Sequence, residues 1–202
     1  AEAGFLLFMP YSLAVMSQFF SKICSRKGHE PNLLIPCTTD LRSNKLSIGN
    51  MFFNYSSGFF FGLSSKALVD RAETLQNLKV QFFDQTKNKT PINMNLALAL
   101  MRIIPIPVFD RIINKLFTDS FGSFVYSFLG DSLLKTDTLM GGTVSNLFHM
   151  PQVPPQTGVG FFFSKFNGKI TITVAYQDSI LSDDDLKEFD NYIQQLAEDE
   201  LG

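Results

Sequence analysis

The sequence predicts an α/β or α+β fold, a mixed β-sheet packed with helices. Three observations predict it. Helix-spaced and strand-spaced apolar patterns intersperse along the 202 residues. The strand-like runs Val159–Phe166 and Lys169–Tyr176 are separated by Asn167-Gly168. That pair is the strongest short hairpin signal, because a type I′ turn needs positive φ at both positions. Finally, 45% of residues are hydrophobic and only 18% charged, so a chain of this length builds a core without staples. We read residues 1–202 as a single domain.

Leu13, Met16, Phe19, Phe20 and Ile23 recur at helical spacing and predict an amphipathic helix ending near Lys27-Gly28, where Gly suits the C-terminal cap. Asn32–Leu41 reads as a buried strand, with Pro36 suggesting an edge or a bulge. Ile48–Leu63 reads as a second strand region, with a bend expected at Ser56-Ser57-Gly58. Ser64 or Ser65 is the expected cap of a helix running to about Lys87, with Leu68, Ala72, Leu75, Lys79 and Phe82 along one side. Asn88–Pro91 breaks it. Asn93–Arg102 and Val108–Phe117 read as helices separated by Pro105 and Pro107. Thr118–Gly130 carries no clear pattern. Leu139–Leu147 reads as a strand entered through Gly141-Gly142, and His149–Gly158, with three prolines, as an extended connection. After the hairpin, Ser182 caps a final helix whose first turn holds Asp183, Asp184 and Asp185, where the helix dipole favours negative charge. Leu186, Phe189, Ile193 and Leu196 form its apolar stripe.

Composition excludes several classes. With 17 basic and 19 acidic residues, the chain lacks the positive excess of a nucleic-acid binder. Apolar content and a net charge of −2 exclude disorder as the main state. Cys24 and Cys37 make no disulfide framework and fit reduced thiols in a cytoplasmic protein. No apolar run approaches the roughly 20 residues of a spanning helix. Met94–Phe109 leaves surface contact with a membrane as the least favoured reading. The 22 Phe residues are unusual and imply a large core, an apolar cavity or a face meant for a partner.

No phosphate-binding loop, zinc-ligand spacing or G-x-S-x-G nucleophile motif is present. His29 reads as a solvated turn residue and His149 as structural. The acidic run at Asp183 reads as a helix start rather than a metal site, and no metal is expected.

Four segments, in order, resemble the C-terminal half of the CoA-dependent acyltransferase superfamily. That group includes chloramphenicol acetyltransferase, condensation domains, wax ester synthases and alcohol acyltransferases. The segments are IPCTTDLRS with IGNMFF (Ile35–Phe53), the helix Ser65–Lys87 with the apolar helix after it, GGTVSNLFHMPQVPP (Gly141–Pro155), and Phe163–Leu196. The wax ester and alcohol acyltransferase branches are the most similar. The resemblance implies one lobe of a two-layer, two-lobed enzyme that moves an acyl group from acyl-CoA, as cosubstrate, to an alcohol. In the family a His-His-x-x-x-Asp motif on the N-terminal half is the general base. This chain has no adjacent His pair, so it is expected to be inactive alone. Its expected partner is the missing N-terminal lobe, or another copy by self-association through an apolar face drawn from Phe52, Phe53, Phe59–Phe61 and Phe161–Phe163. The resemblance makes Ser145 and Asn146 substrate-orienting candidates and places Asp40 and Arg42 near the catalytic centre. The competing reading is a non-catalytic lipid- or protein-binding module of the same fold.

Overall fold

A computed structural model describes residues 2–40, 56–116, 122–131, 137–153 and 157–201. Its elements are α1 (Glu2–Arg26), β1 (Leu33–Asp40), β2 (Ser56–Leu63), α2 (Arg71–Lys87), α3 (Thr90–Met101), α4 (Ile106–Leu116), β3 (Val125–Asp131), β4 (Thr138–Leu139), β5 (Gly142–Thr143), β6 (Val159–Phe166), β7 (Lys169–Tyr176) and α5 (Asp183–Leu201). Five strands form one mixed sheet in the order β2-β1-β3-β6-β7. The inner three are mutually parallel, and β2 and β7 run antiparallel at the two edges.

Side chains alternate across the sheet. One face carries Ile35, Cys37, Phe61, Tyr126, Phe161 and Phe163, all buried in a single core with Leu13, Met16 and Phe19 of α1, Leu78 of α2 and Phe189 of α5. α1 is more deeply covered than an amphipathic helix would be. Residues 12–17 are all buried. Ser12 and Ser17 are accommodated there by donating to the carbonyls of Phe8 (2.8 Å) and Leu13 (2.7 Å), four residues back. α1 ends as expected: Gly28 has φ 79°, and the His29 N–H reaches back to the Cys24 carbonyl. Ser182 also caps as expected. Its N–H and hydroxyl donate to the buried Asp185 carboxylate, and its oxygen accepts from the Asp185 N–H. Arg26 pairs with that carboxylate, joining the end of α1 to the start of α5.

Several expectations are corrected. β1 is internal, not an edge. Its first two outward residues on the β3 side, Leu34 and Pro36, precede the pairing register Cys37↔Tyr126, so Pro36 lacks an N–H where no ladder yet exists. Gly122 packs there, against the Pro36 ring and the Leu34 carbonyl. β2 keeps an unbroken register through Ser56-Ser57-Gly58, with no bend. The cap of α2 is Asp70, whose carboxylate accepts from the Glu73 N–H, while Ser65 only opens a 3-10 turn at Lys66–Leu68. The inward face of α2 is Thr74, Leu75, Leu78 and Phe82, and Ala72 and Lys79 are exposed. Pro91 sits in the first turn of α3, where its missing N–H costs nothing. β3 occupies the patternless stretch. The expected strand Leu139–Leu147 is only the two-residue ladder of β4 and β5, turning on Met140 and Gly141, both at positive φ. The 48–55 part of the second strand region lies outside the described residues.

Two consequences are testable. Gly158 enters β6 at φ 64°, and a Cβ there would collide with the Ile180 Cδ1. Gly158→Ala is expected to cost about 1–3 kcal/mol by urea denaturation. Gly168→Ala, at φ 76° but with open space around it, should show the backbone strain alone.

Burial pushes the Cys37 thiol from 9.0 up to about 12. Tyr126, beside it, is raised chiefly by burial, although its hydroxyl lies 2.6 Å from the Ser12 Oγ. Since the Ser12 proton goes to a carbonyl, Tyr126 donates in that bond. Above pH 9 an unfolded thiol ionises while the native one stays protonated. The unfolded state then binds fewer protons, so stability present at neutral pH falls as pH rises, by about 1.4 kcal/mol per unit for each such group. Urea midpoints at about pH 8, 9, 10 and 11 should decline with that curvature. A flat series would mean that the native thiol ionises freely.

Candidate functional site

The other face of the sheet carries the hydroxyl side chains. At its centre Thr38 of β1 donates to Ser127 of β3 across 2.8 Å. Further along stand Ser164 of β6 and Thr171 of β7, which are register partners. Residues 144–153, outside any helix or strand, run across this hydroxyl-bearing face. Ser164 Oγ donates to the Leu147 carbonyl at 3.3 Å, the His149 ring packs edge-on to Phe162 with centroids 6.2 Å apart, and Val153 lies over Gly160.

Asn146 is held most specifically. Its Oδ1 accepts from the Leu147 N–H at 2.8 Å and from the Thr171 hydroxyl at 3.0 Å. The backbone N–H can bond only to an oxygen, so the amide orientation is fixed. Both bonds use Oδ1, and among the described residues nothing pairs with Nδ2. The amide therefore presents a positioned pair of N–H donors on an exposed face, an arrangement suited to a carbonyl oxygen or a developing oxyanion. The sequence named Asn146 but not Thr171, which lies 25 residues away and meets it only through the fold.

Ser145 is exposed beside Asn146. Asp40 ends β1 on the same face, and carrying the register across β3 and β6 puts it level with Thr171, three strand spacings or about 14 Å away. The structure thus gives Asp40 and Asn146 one face and one end of the sheet without bringing them into contact. Arg42, Gly49-Asn50, Phe52 and Phe53 lie outside the described residues. Cys37 and Tyr126 belong to the opposite, packed face. No three His, Cys, Asp or Glu side chains cluster as metal ligands among the described residues. No described helix is long and apolar enough to cross a membrane.

The expected apolar face is differently built. Phe61 and Phe161–Phe163 are buried within the chain, and Phe59 and Phe60 are half-buried. Phe61, Phe161 and Phe163 belong to the chain's own core, with Phe59 packed against it, and Phe162 lies on the other face beside His149. Among the exposed large apolar side chains are Leu139, Met140 (99% exposed), Phe148 and Met150 around the site segment, and Leu96, Leu100, Ile103 and Ile106 on α3 and α4 and between them, with others such as Val69 and Phe83 scattered elsewhere.

No family model matches the sequence, and no curated protein does. Solved structures match in fold. Against the first condensation domain of the CDA synthetase the chain is 8% identical with a TM-score of 0.50, covering 94% of this chain and 40% of that one. Against the epimerization domain from the third module of tyrocidine synthetase B the values are 12% and 0.47, with 90% and 39% covered. Against a structure describing condensation domain-mediated chain release from the enacyloxin polyketide synthase they are 11% and 0.48, with 89% and 34% covered. The first match shows the fold, that of part of a condensation domain, in keeping with the mixed sheet and helices of one lobe expected from the sequence. The chain spans well under half the length of each.

Proposed function

We propose that the chain is the C-terminal lobe of an acyltransferase that moves an acyl group from acyl-CoA to an alcohol, the His-His-x-x-x-Asp base standing on a second lobe. The observation that carries this reading is the Asn146 amide, oriented by Thr171 with its donors presented on the sheet face opposite α1 and α5. On this reading the base takes the acceptor proton, and the hydroxyl oxygen attacks the thioester carbon. Asn146 Nδ2 donates to the carbonyl oxygen as it becomes an oxyanion. Collapse breaks the C–S bond, the proton passes to the CoA thiolate, and the ester leaves with no covalent enzyme intermediate. Leu139, Met140, Phe148 and Met150, exposed along the same segment, would be covered by the second lobe.

The test pairs the intact mass of the native protein with its upstream coding sequence, followed by an acyl-CoA assay. The expected result is a longer polypeptide carrying an upstream His-His-x-x-x-Asp and forming esters, while residues 1–202 alone form none. A native protein that has no such motif and forms no ester would overturn the proposal. It would favour the non-catalytic binding module of the same fold.

A further inference from the structure

β2 is an edge strand with a hazardous sequence. Ser56–Leu63 reads Ser-Ser-Gly-Phe-Phe-Phe-Gly-Leu, with no charge and no proline. Such a segment at a sheet edge is a template for adding a strand from another chain. On its inner side it is paired with β1 without interruption. Phe60 and Gly62 turn their N–H and C=O groups outward, and the space beside Gly62 is open.

Two glutamines of α2 fill those positions. Gln85 Oε1 accepts from the Phe60 N–H at 3.0 Å, and its Nε2 donates to the Phe60 carbonyl at 2.7 Å. Gln81 does the same at Gly62, at 2.9 and 2.7 Å. Each side-chain amide satisfies one residue as a peptide group of a neighbouring strand would. The spacings match: residues four apart rise about 6.0 Å along a helix, and residues two apart about 6.8 Å along an antiparallel strand. The second proton of Gln81 Nε2 goes to the Asn77 Oδ1 at 3.3 Å, which braces the amide from the previous turn.

We propose that Gln81 and Gln85 form an edge lock, occupying the hydrogen-bonding positions through which a second copy of the chain would otherwise add to β2. A second copy is the fitting intruder because antiparallel pairing of β2 with itself sets uncharged, Phe-rich segments side by side with no like charges to separate them. The lock is independent of the acyl-transfer reading, since it lies at the edge farthest from Asn146 and β7.

The test compares the protein with Gln81→Ala/Gln85→Ala and Gln81→Lys/Gln85→Lys variants, by residue-resolved hydrogen exchange and by light scattering over a concentration series. In both variants the Phe60 and Gly62 amides should exchange roughly tenfold faster, the size one neutral hydrogen bond supports. Ile35 and Cys37 amides, within the sheet, should be unchanged. The Ala variant should associate at lower concentration than the parent. The Lys variant, which has lost the same acceptors but puts positive charge at the edge, should not. Unchanged exchange at Phe60 and Gly62 would overturn the lock. So would an Ala variant that associates no more than the parent, or equal association of both variants, which would place the contact elsewhere. Single Gln81→Ala and Gln85→Ala variants provide the same readouts if the double variant fails to fold.

Discussion

Phe161→Ala should lower the unfolding free energy by about 3–5 kcal/mol, a large fraction of the roughly 5–15 kcal/mol that a domain possesses. Phe161 is fully buried on β6, the strand paired on both sides by β3 and β7. Its ring lies 5.2 Å edge-on from Phe124 and 5.8 Å from Phe189. Phe124 in turn meets Phe20 of α1 at 5.2 Å, and Phe189 meets Phe19 of α1 at 5.0 Å. Phe161 is thus the sheet's contribution to an aromatic chain that clamps α1 and α5 onto it. Because β6 is hydrogen-bonded along both sides, the backbone cannot collapse into the space left by the ring, and the cavity persists. Phe161→Leu should recover most of the loss. Phe83→Ala, on an exposed part of α2, should change stability by about 0.5 kcal/mol or less. Urea denaturation decides it: a Phe161→Ala loss under about 1 kcal/mol would mean that the aromatic chain does not hold the layers together.

What the sequence revealed and what it hid divide along physical lines. Asn167-Gly168 set the β6–β7 hairpin because the two positive-φ positions are encoded in those two residues, and the structure has φ 47° and 76° there. Gly28 and Ser182 marked helix ends for the same local reason. β3 was hidden because its partners are β1 and β6, far away in sequence, and its Gly and Ser neighbours read as punctuation. The inward face of α2 was legible in part: Leu75 and Phe82 pack inward as the spacing predicted, while Gln81 and Gln85 face a strand edge, which needs amides where a packed layer needs apolar side chains. Pro36 read as an edge residue because the sequence cannot show where the β1–β3 ladder begins. Of the three readings left open for the Phe excess, a large core is the one the described residues bear out most, with Phe19, Phe20, Phe61, Phe124, Phe161, Phe163 and Phe189 all in one cluster. Of the candidate site, Asn146 was legible only through the order of its surrounding motifs. Its orienting partner Thr171 appeared only once β7 was placed.

In the two-lobed enzyme proposed above, Asn146→Ala should lower kcat by about 10²–10³ and leave the KM for acyl-CoA nearly unchanged. The reason for the split is that the Nδ2 hydrogen bond strengthens only as the thioester oxygen gains charge, so it contributes to the transition state and little to the ground state. Asn146→Asp separates this role from a structural one. Aspartate keeps both acceptor bonds, from the Leu147 N–H and the Thr171 hydroxyl. If Asn146 served only to satisfy those donors, Asp would be mild and Ala the more damaging change. If its task is to donate to an oxyanion, Asp replaces the donor with a negative charge and should be at least as damaging as Ala. Thr171→Val should fall between the parent and these variants, at about tenfold, because the Leu147 N–H still holds the amide while the lost hydroxyl leaves it less well oriented. The order of kcat values, parent above Thr171→Val above Ala and Asp, belongs to the donor role alone. An Asp variant with near-parent turnover would remove Asn146 from the chemistry.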